Sequence, residues 1–229
     1  MITALTAQNT KGVAAIHDVP ADFIAAQIDA VFADLDVGAV KIGMLGSAAA
    51  AGAVAAGLDR HRPRHVVLDP VLVASTGADL LPAEAMDGLR SLMPRVDVVT
   101  PNLFEAATLL DAPLARDEDA MRTQAQKLLA LGAGAVLIKG GHSEGPESVD
   151  LLVEPGTRTR FSASRMETRN THGTGCTLAS AIAAGLAKGL SLADAVRAAK
   201  TYISAAIKAA DRLHVGSGPG PVHHFHEWW

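Results

Sequence analysis

Aromatic residues are scarce: five Phe, two Trp and one Tyr make up 3% of 229 residues, and the last two positions, Trp228 and Trp229, hold two of them. That is too few for the stacked-ring groove of a single-strand nucleic-acid binder. Positive charge is not in excess, since 20 Lys and Arg face 24 Asp and Glu for a formal net charge of −4. A strongly basic nucleic-acid surface is therefore excluded. A single cysteine, Cys176, leaves no internal disulfide and suits a reducing compartment. The longest apolar stretch, Ser47 to Leu58, is mostly alanine and is interrupted by Gly52 and Gly57. It falls well short of the ~20 residues a membrane span needs. Met1 to Gly12 lacks a basic region followed by an apolar one, so no secretory signal is visible. No Gly-Lys-Ser/Thr occurs, which excludes a Walker A loop, and no Gly-x-Gly-x-x-Gly follows the first expected strand. The expectation is a soluble cytoplasmic protein of one domain, with neither nucleic acid nor membrane as partner.

What is present is an alternation of short β-branched runs with longer helical patterns, which predicts an α/β fold with a mostly parallel sheet covered by helices. Strands are expected at Ala39–Gly43, His65–Asp69, Val96–Thr100, Ala135–Lys139 and Val149–Val153. The first four are nearly continuous apolar runs, as expected where both faces of a sheet are buried. Helical patterns cover Pro20–Leu35, Ala48–Arg60, Pro82–Met93, Leu103–Leu110 and Asp117–Leu131. Val149–Val153 and Arg158–Ser162 flank Glu154-Pro155-Gly156-Thr157, which reads as a hairpin turn. Two consecutive helices follow, Thr174–Lys188 and Leu192–Leu213, the latter with Ser191 and Asp194 placed as a capping pair.

The most informative stretch is Asn170-Thr171-His172-Gly173-Thr174-Gly175-Cys176-Thr177, a glycine-rich turn opening a helix whose Leu178, Ile182 and Leu186 share one face. Such a turn can aim bare backbone N–H groups at one point, where the helix dipole also favours an anion. Alternatively, Gly173 and Gly175 only supply a tight entry to the helix. Cys176 sits at the helix start, where a thiol's pKa can fall below its free value of about 8.5. It could then act as a base or nucleophile, or it is a small buried hydrophobe. In the last helix, Lys200 interrupts a stripe of Val196, Ile203 and Ile207. Either its stem lies along the core with the ammonium in water, or the ammonium meets a phosphate. His223, His224 and His226 lack tetrahedral metal spacing and read as a packed or solvated terminus. His142 and His172 merely adjoin candidate loops.

The motif around Gly173–Cys176 resembles the signature of the hydroxymethylpyrimidine/phosphomethylpyrimidine kinases, thiamine-biosynthetic members of the ribokinase superfamily. Further segments occur in that family's order: Thr3 to Thr10, Lys41-Ile42-Gly43-Met44-Leu45-Gly46, Asp69-Pro70-Val71, Thr100-Pro101-Asn102-Leu103 with Glu105, and Ile138-Lys139-Gly140-Gly141-His142. The tail from Gly218 to Trp229 is similar to the family's ending, so the resemblance spans the chain. It implies a ribokinase-like fold, a homodimer, and ATP-dependent phosphorylation of 4-amino-5-hydroxymethyl-2-methylpyrimidine and then of its monophosphate, with Mg²⁺. By resemblance, the backbone of Gly173, Thr174 and Gly175 forms an anion hole for the migrating phosphoryl group. Cys176 takes the position of the catalytic base, where the wider superfamily usually has an aspartate. Gln8 would read the aminopyrimidine edge, since an amide offers both acceptor and donors; its other reading is a polar residue near a strand end. Met44 and Val71 would line the pocket, though Met44 serves equally well as core filler. Asn102, Lys139 and Lys200 would serve the nucleotide and Glu105 the Mg²⁺, while Asn102 and Glu105 also fit a helix capping box.

The family ordinarily begins with a further strand and a glycine-rich turn carrying an aspartate, and this sequence starts at Met1 without them. The expectation is a shortened chain with exposed sheet edges, less stable and less active than one with that segment restored. Pyridoxal kinase is the alternative within kinases, because pyridoxine also offers a hydroxymethyl group on an aza-aromatic ring. A non-catalytic pyrimidine-binding protein is the alternative outside them.

Overall fold

The apolar runs are laid side by side in a computed structural model that describes residues 1–72, 86–141 and 145–229. β3 (Val40–Ile42), β4 (Val66–Leu68), β5 (Val98–Val99) and β6 (Val136–Lys139) are parallel neighbours. β7 (Glu147–Glu154) and β8 (Thr157–Ser164) extend this sheet antiparallel, giving the order β3-β4-β5-β6-β7-β8. Gly156, at a φ of +80°, supplies the turn between the last two. The sheet is mostly parallel and covered on both faces, as expected.

Strand periodicity explains why the runs are continuously apolar. Val66, Leu68, Val136 and Ile138 point to one face, where they meet α1 (Ala21–Asp34), α2 (Ala48–His61), α3 (Met86–Arg90), α4 (Leu103–Leu110) and α5 (Glu118–Ala130). Val67, Val98 and Leu137 point to the other, against α6 (Thr174–Ala187) and α7 (Leu192–Lys208). Each fully buried Leu or Ile removed from water contributes about 2 kcal/mol. The helix starts follow capping chemistry: Ser47, Asp117 and Ser191 each accept the N–H three residues on. The last helix is shorter than its sequence pattern, stopping at Lys208 before a 3₁₀ turn at Ala210–Arg212. Residues 82–85 of the expected Pro82–Met93 helix lie outside the described residues, as does His142.

An element the apolar pattern did not announce is the antiparallel pair β1 (Ala4–Asn9) and β2 (Gly12–Asp18), with a bulge at Ala7/Gln8. This ribbon stands off the main sheet, mostly exposed, and is held at its base by Thr3 Oγ1 donating to the Met44 carbonyl at 2.6 Å.

Candidate active site

Four separate connections deliver charged or polar groups to the C-terminal ends of the parallel strands, where ligands of open α/β sheets collect. Asp69 follows β4 directly and is 1% exposed. Lys139 ends β6 and donates to Asp69 Oδ1 at 2.7 Å, with Glu105 Oε2 3.8 Å away. Lys41, on the edge strand β3, reaches Asp69 Oδ2 at 3.7 Å. The buried hydroxyl of Thr100 lies 3.4 Å from Asp69 Oδ1.

Glu105 and Asn102 do form the capping box of α4. Asn102 Oδ1 accepts the Glu105 N–H at 2.8 Å, and Glu105 Oε2 accepts the Asn102 N–H at 2.7 Å. The same box holds Glu105 in the cluster, so capping and site are one arrangement.

The glycine turn arrives from the opposite side of the sheet. Gly173, at a φ of +84°, caps α6 in a conformation that other residues rarely adopt. The Thr174 N–H bonds the Thr171 carbonyl at 3.2 Å and the Thr177 N–H the Gly173 carbonyl at 2.8 Å. Among the described residues the N–H groups of Gly175 and Cys176 between them make no hydrogen bond. Gly175 packs so closely on the ion cluster that an added Cβ would lie 3.1 Å from Lys139 Nζ. Cys176 is exposed overall, yet its thiol stands close enough to the Asp69 carboxylate to feel its charge.

The electrostatics follow from two carboxylates and two ammonium groups held out of water. Burial works against the Asp69 charge, but Lys139 and Lys41 outweigh it and its pKa is lowered. Burial likewise opposes the Lys139 charge, and Asp69 with Glu105 overrides it, raising its pKa. Glu105 is pushed up to about 6 by burial, with partial relief from Lys139. The thiol departs from expectation. Burial and the neighbouring Asp69 charge push Cys176 up, more than Lys41 and Lys139 pull it down. A helix start alone would have favoured the thiolate; burial, joined by the acid beside it, reverses the balance.

The remaining candidates sit around this cluster. Lys200 is held by an acid of the neighbouring hairpin: it donates to Asp150 Oδ2 at 2.7 Å and Ser148 Oγ at 3.2 Å. Asp150 pairs in register with Lys139 and accepts the Gly140 N–H at 3.1 Å. Met44 and Val71 are half-buried just beyond β3 and β4. Gln8 stands apart, exposed on β1 opposite Val13. Sequence reasoning passed over Asp69, Lys41, Thr100 and Asp150 as individual site members. The available signal was a charged Asp-Pro ending an otherwise apolar, doubly buried strand.

The whole chain is also similar to known proteins. Residues 1–223 match the family model described as phosphomethylpyrimidine kinase. The hydroxymethylpyrimidine/phosphomethylpyrimidine kinase of Rhizobium meliloti (strain 1021) is 56% identical over 230 residues, covering 100% of this chain and 86% of that relative. The crystal structure of phosphomethylpyrimidine kinase from Clostridium difficile 630 superposes with a TM-score of 0.78 at 39% identity, covering 90% of this chain and 84% of the other. That of Bacillus subtilis pyridoxal kinase in an ADP complex gives a TM-score of 0.87 at 34% identity, covering 96% and 83%. A helix-entry turn, strand-end acids and lysines and this likeness over the whole chain lead to one conclusion: the chain belongs to the phosphomethylpyrimidine kinase family.

Proposed function

We propose that this chain is a single kinase domain that phosphorylates 4-amino-5-hydroxymethyl-2-methylpyrimidine, and then its monophosphate, at the expense of ATP. The observation that carries the reading is the pair of unpartnered amides at Gly175 and Cys176, beside Lys139 at the positive end of α6. Phosphoryl transfer is chiefly a matter of positioning and charge neutralisation. The Gly173–Gly175 backbone, with Thr174, receives the γ-phosphoryl group. The substrate hydroxyl oxygen forms a bond to phosphorus as the bond to the β-phosphate oxygen breaks. Cys176, as the neutral thiol, orients that hydroxyl and relays its proton, passing its own S–H proton to the Asp69 carboxylate as the sulfur takes up the proton from the hydroxyl. Lys139 and Asn102 serve the nucleotide, with Lys200 held behind them by Asp150, while Gln8, Met44 and Val71 recognise the pyrimidine.

Among the described residues no group of three acidic, His or Cys side chains makes a metal cage. Mg²⁺ nonetheless fits the donor set. Glu105 is a buried acid sharing one lysine with Asp69, and burial raises its pKa. Mg²⁺ would be held there largely through water and phosphate oxygens, supplying charge neutralisation to the phosphates.

The reading extends to a cytoplasmic homodimer. No helix among the described residues is long and apolar enough to cross a membrane. Leu5 and Ile16 of the ribbon, 49% and 41% exposed, offer apolar surface to a second copy. Light scattering would return twice the chain mass.

Pyridoxal kinase is the second reading, favoured by the Bacillus subtilis structure; the higher identity to the pyrimidine kinases favours the first. Incubation with Mg-ATP and either alcohol, followed by mass spectrometry, separates them. Mono- and diphosphorylated pyrimidine with ADP are expected. ADP formed only with pyridoxine selects the second reading, and pyrimidine binding without ADP selects a non-catalytic binder.

A further inference from the structure

The C-terminal segment touches both the ribbon that carries Gln8 and the turn that carries the unpartnered amides. At the ribbon end, the Gly218 N–H donates to Thr10 Oγ1 at 3.1 Å. The contact is close: a Cβ on Gly218 would fall 1.9 Å from the Thr10 carbonyl oxygen. At the turn end, the Gly220 N–H donates to Asn170 Oδ1 at 2.8 Å, and the Gly220 carbonyl accepts the His172 N–H at 3.1 Å. The Val222 N–H then bonds the His172 carbonyl at 3.2 Å, completing a bridge beside the turn. His224 Nε2 lies 3.0 Å from Thr177 Oγ1, one residue beyond Cys176. Between these ends the segment is anchored: His223 is 1% exposed and its N–H bonds the Ala206 carbonyl at 3.0 Å, while Tyr202 donates to the His224 carbonyl at 2.9 Å.

The geometry points to a positioning role for this segment: residues 216–224 form a strap that couples the ribbon to the anion-binding turn. The strap sets the turn when the ribbon is seated, with Thr10 and His224 as its two end contacts. This inference rests on the kinase reading for its consequence in turnover, but its structural content does not. Neither Thr10 nor His224 touches substrate in this account. Thr10 acts on residues 171–177 through the backbone bonds of Gly218, Gly220 and Val222, and His224 through its own contact with Thr177 Oγ1 at the other end of the strap.

The test uses amide hydrogen exchange and kinetics on the full chain. Thr10→Val keeps the shape and removes the acceptor for Gly218, and Thr10→Ser restores the hydroxyl. Exchange in residues 171–177 rises about fivefold in Thr10→Val and returns to the wild-type rate in Thr10→Ser, the scale expected from one lost hydrogen bond. Gly218→Ala, which pushes the strap off Thr10, reproduces the rise if the strap is the route. The pyrimidine kcat falls by a similar factor in Thr10→Val and in His224→Phe, with the KM for ATP unchanged. Two contacts in series make the double variant no worse than the more damaged single one. Faster exchange in the ribbon with unchanged exchange at 171–177 overturns the strap, as do fold-changes that multiply in the double variant. Should the wild-type chain form no ADP with the pyrimidine, the kinase reading fails, and the exchange data alone still decide the strap.

Discussion

Two lysine–aspartate pairs lie side by side at the end of the sheet, Lys139–Asp69 and Lys200–Asp150, each closed at 2.7 Å. Their lysine side chains are 12% and 11% exposed, so burial does not distinguish them. Their company does. Asp150 gives its other oxygen to the Gly140 N–H, and a serine hydroxyl accompanies Lys200. That pair is locally closed. Asp69 instead shares its lysine with a second buried acid, draws on Lys41 and faces a thiol. A closed pair is a brace. A group of charges that competes for partners is a place where an arriving anion and cation change the balance.

Breaking each pair in turn tests this contrast most sharply. Lys139→Met is expected to lower turnover by about 10²–10³-fold, the scale for losing a group that neutralises transition-state charge. Asp150→Asn leaves an acceptor for the Gly140 N–H but breaks the other pair. It should cost roughly 3 kcal/mol of unfolding free energy, as for other broken buried pairs, with turnover changed by less than about threefold. Steady-state kinetics and denaturant melts on both variants read this out. Equal losses of turnover would erase the distinction between brace and site.

Cys176→Ala comes next, because the thiol belongs only to the contested cluster. Turnover is expected to fall about 10²-fold, the range of a proton-handling group, while pyrimidine binding measured by calorimetry stays within about twofold. Unchanged turnover removes the sulfur from the reaction.

The contrast also shows which features were readable in advance. The parallel strands were, because a strand buried on both faces must be apolar at every position, as Val66 to Leu68 and Val136 to Ile138 are. Helix starts at Ser47, Asp117 and Ser191 were readable from local hydrogen-bonding chemistry. The β1–β2 ribbon was not, since both of its faces meet water over most of its length and neither imposes an apolar alternation. The glycine turn was legible as a possible anion site, but the direction of the Cys176 shift depends on Asp69, more than a hundred residues earlier in the chain. Lys200 looked like a snorkelling or phosphate-binding residue because its acid, Asp150, arrives from a different hairpin. Spacing along one helix carries no information about such a partner.

A smaller effect is expected at Glu105, where burial of an acid beside Asp69 becomes a pH dependence. An acid whose pKa is raised from 4.5 to about 6 on folding holds its proton more tightly in the native state. Stability therefore declines as pH rises through that window, and the penalty is fully present above it. The shift corresponds to about 2 kcal/mol. Glu105→Gln cannot titrate and keeps an acceptor for the Asn102 N–H. Its unfolding free energy relative to wild type should thus rise by about 2 kcal/mol between about pH 4 and pH 7, seen in paired denaturant melts. A flat difference would mean that burial does not raise the Glu105 pKa in the folded chain.

The smallest effect is expected outside both pairs, at Gln8. Its amide lies on the exposed ribbon, away from the charged cluster, so its loss should leave the phosphoryl-transfer machinery intact. One neutral hydrogen bond to the pyrimidine edge is worth about 1 kcal/mol. Gln8→Ala should accordingly raise the pyrimidine KM about fivefold at unchanged kcat and unchanged KM for ATP. The preference for pyrimidine over pyridoxine should narrow by the same factor, because the lost contact is to the amino group and ring nitrogen that only the pyrimidine presents together. A fall in kcat instead would place the ribbon within the reacting geometry, and the division between a charged centre and a recognition arm would have to be redrawn.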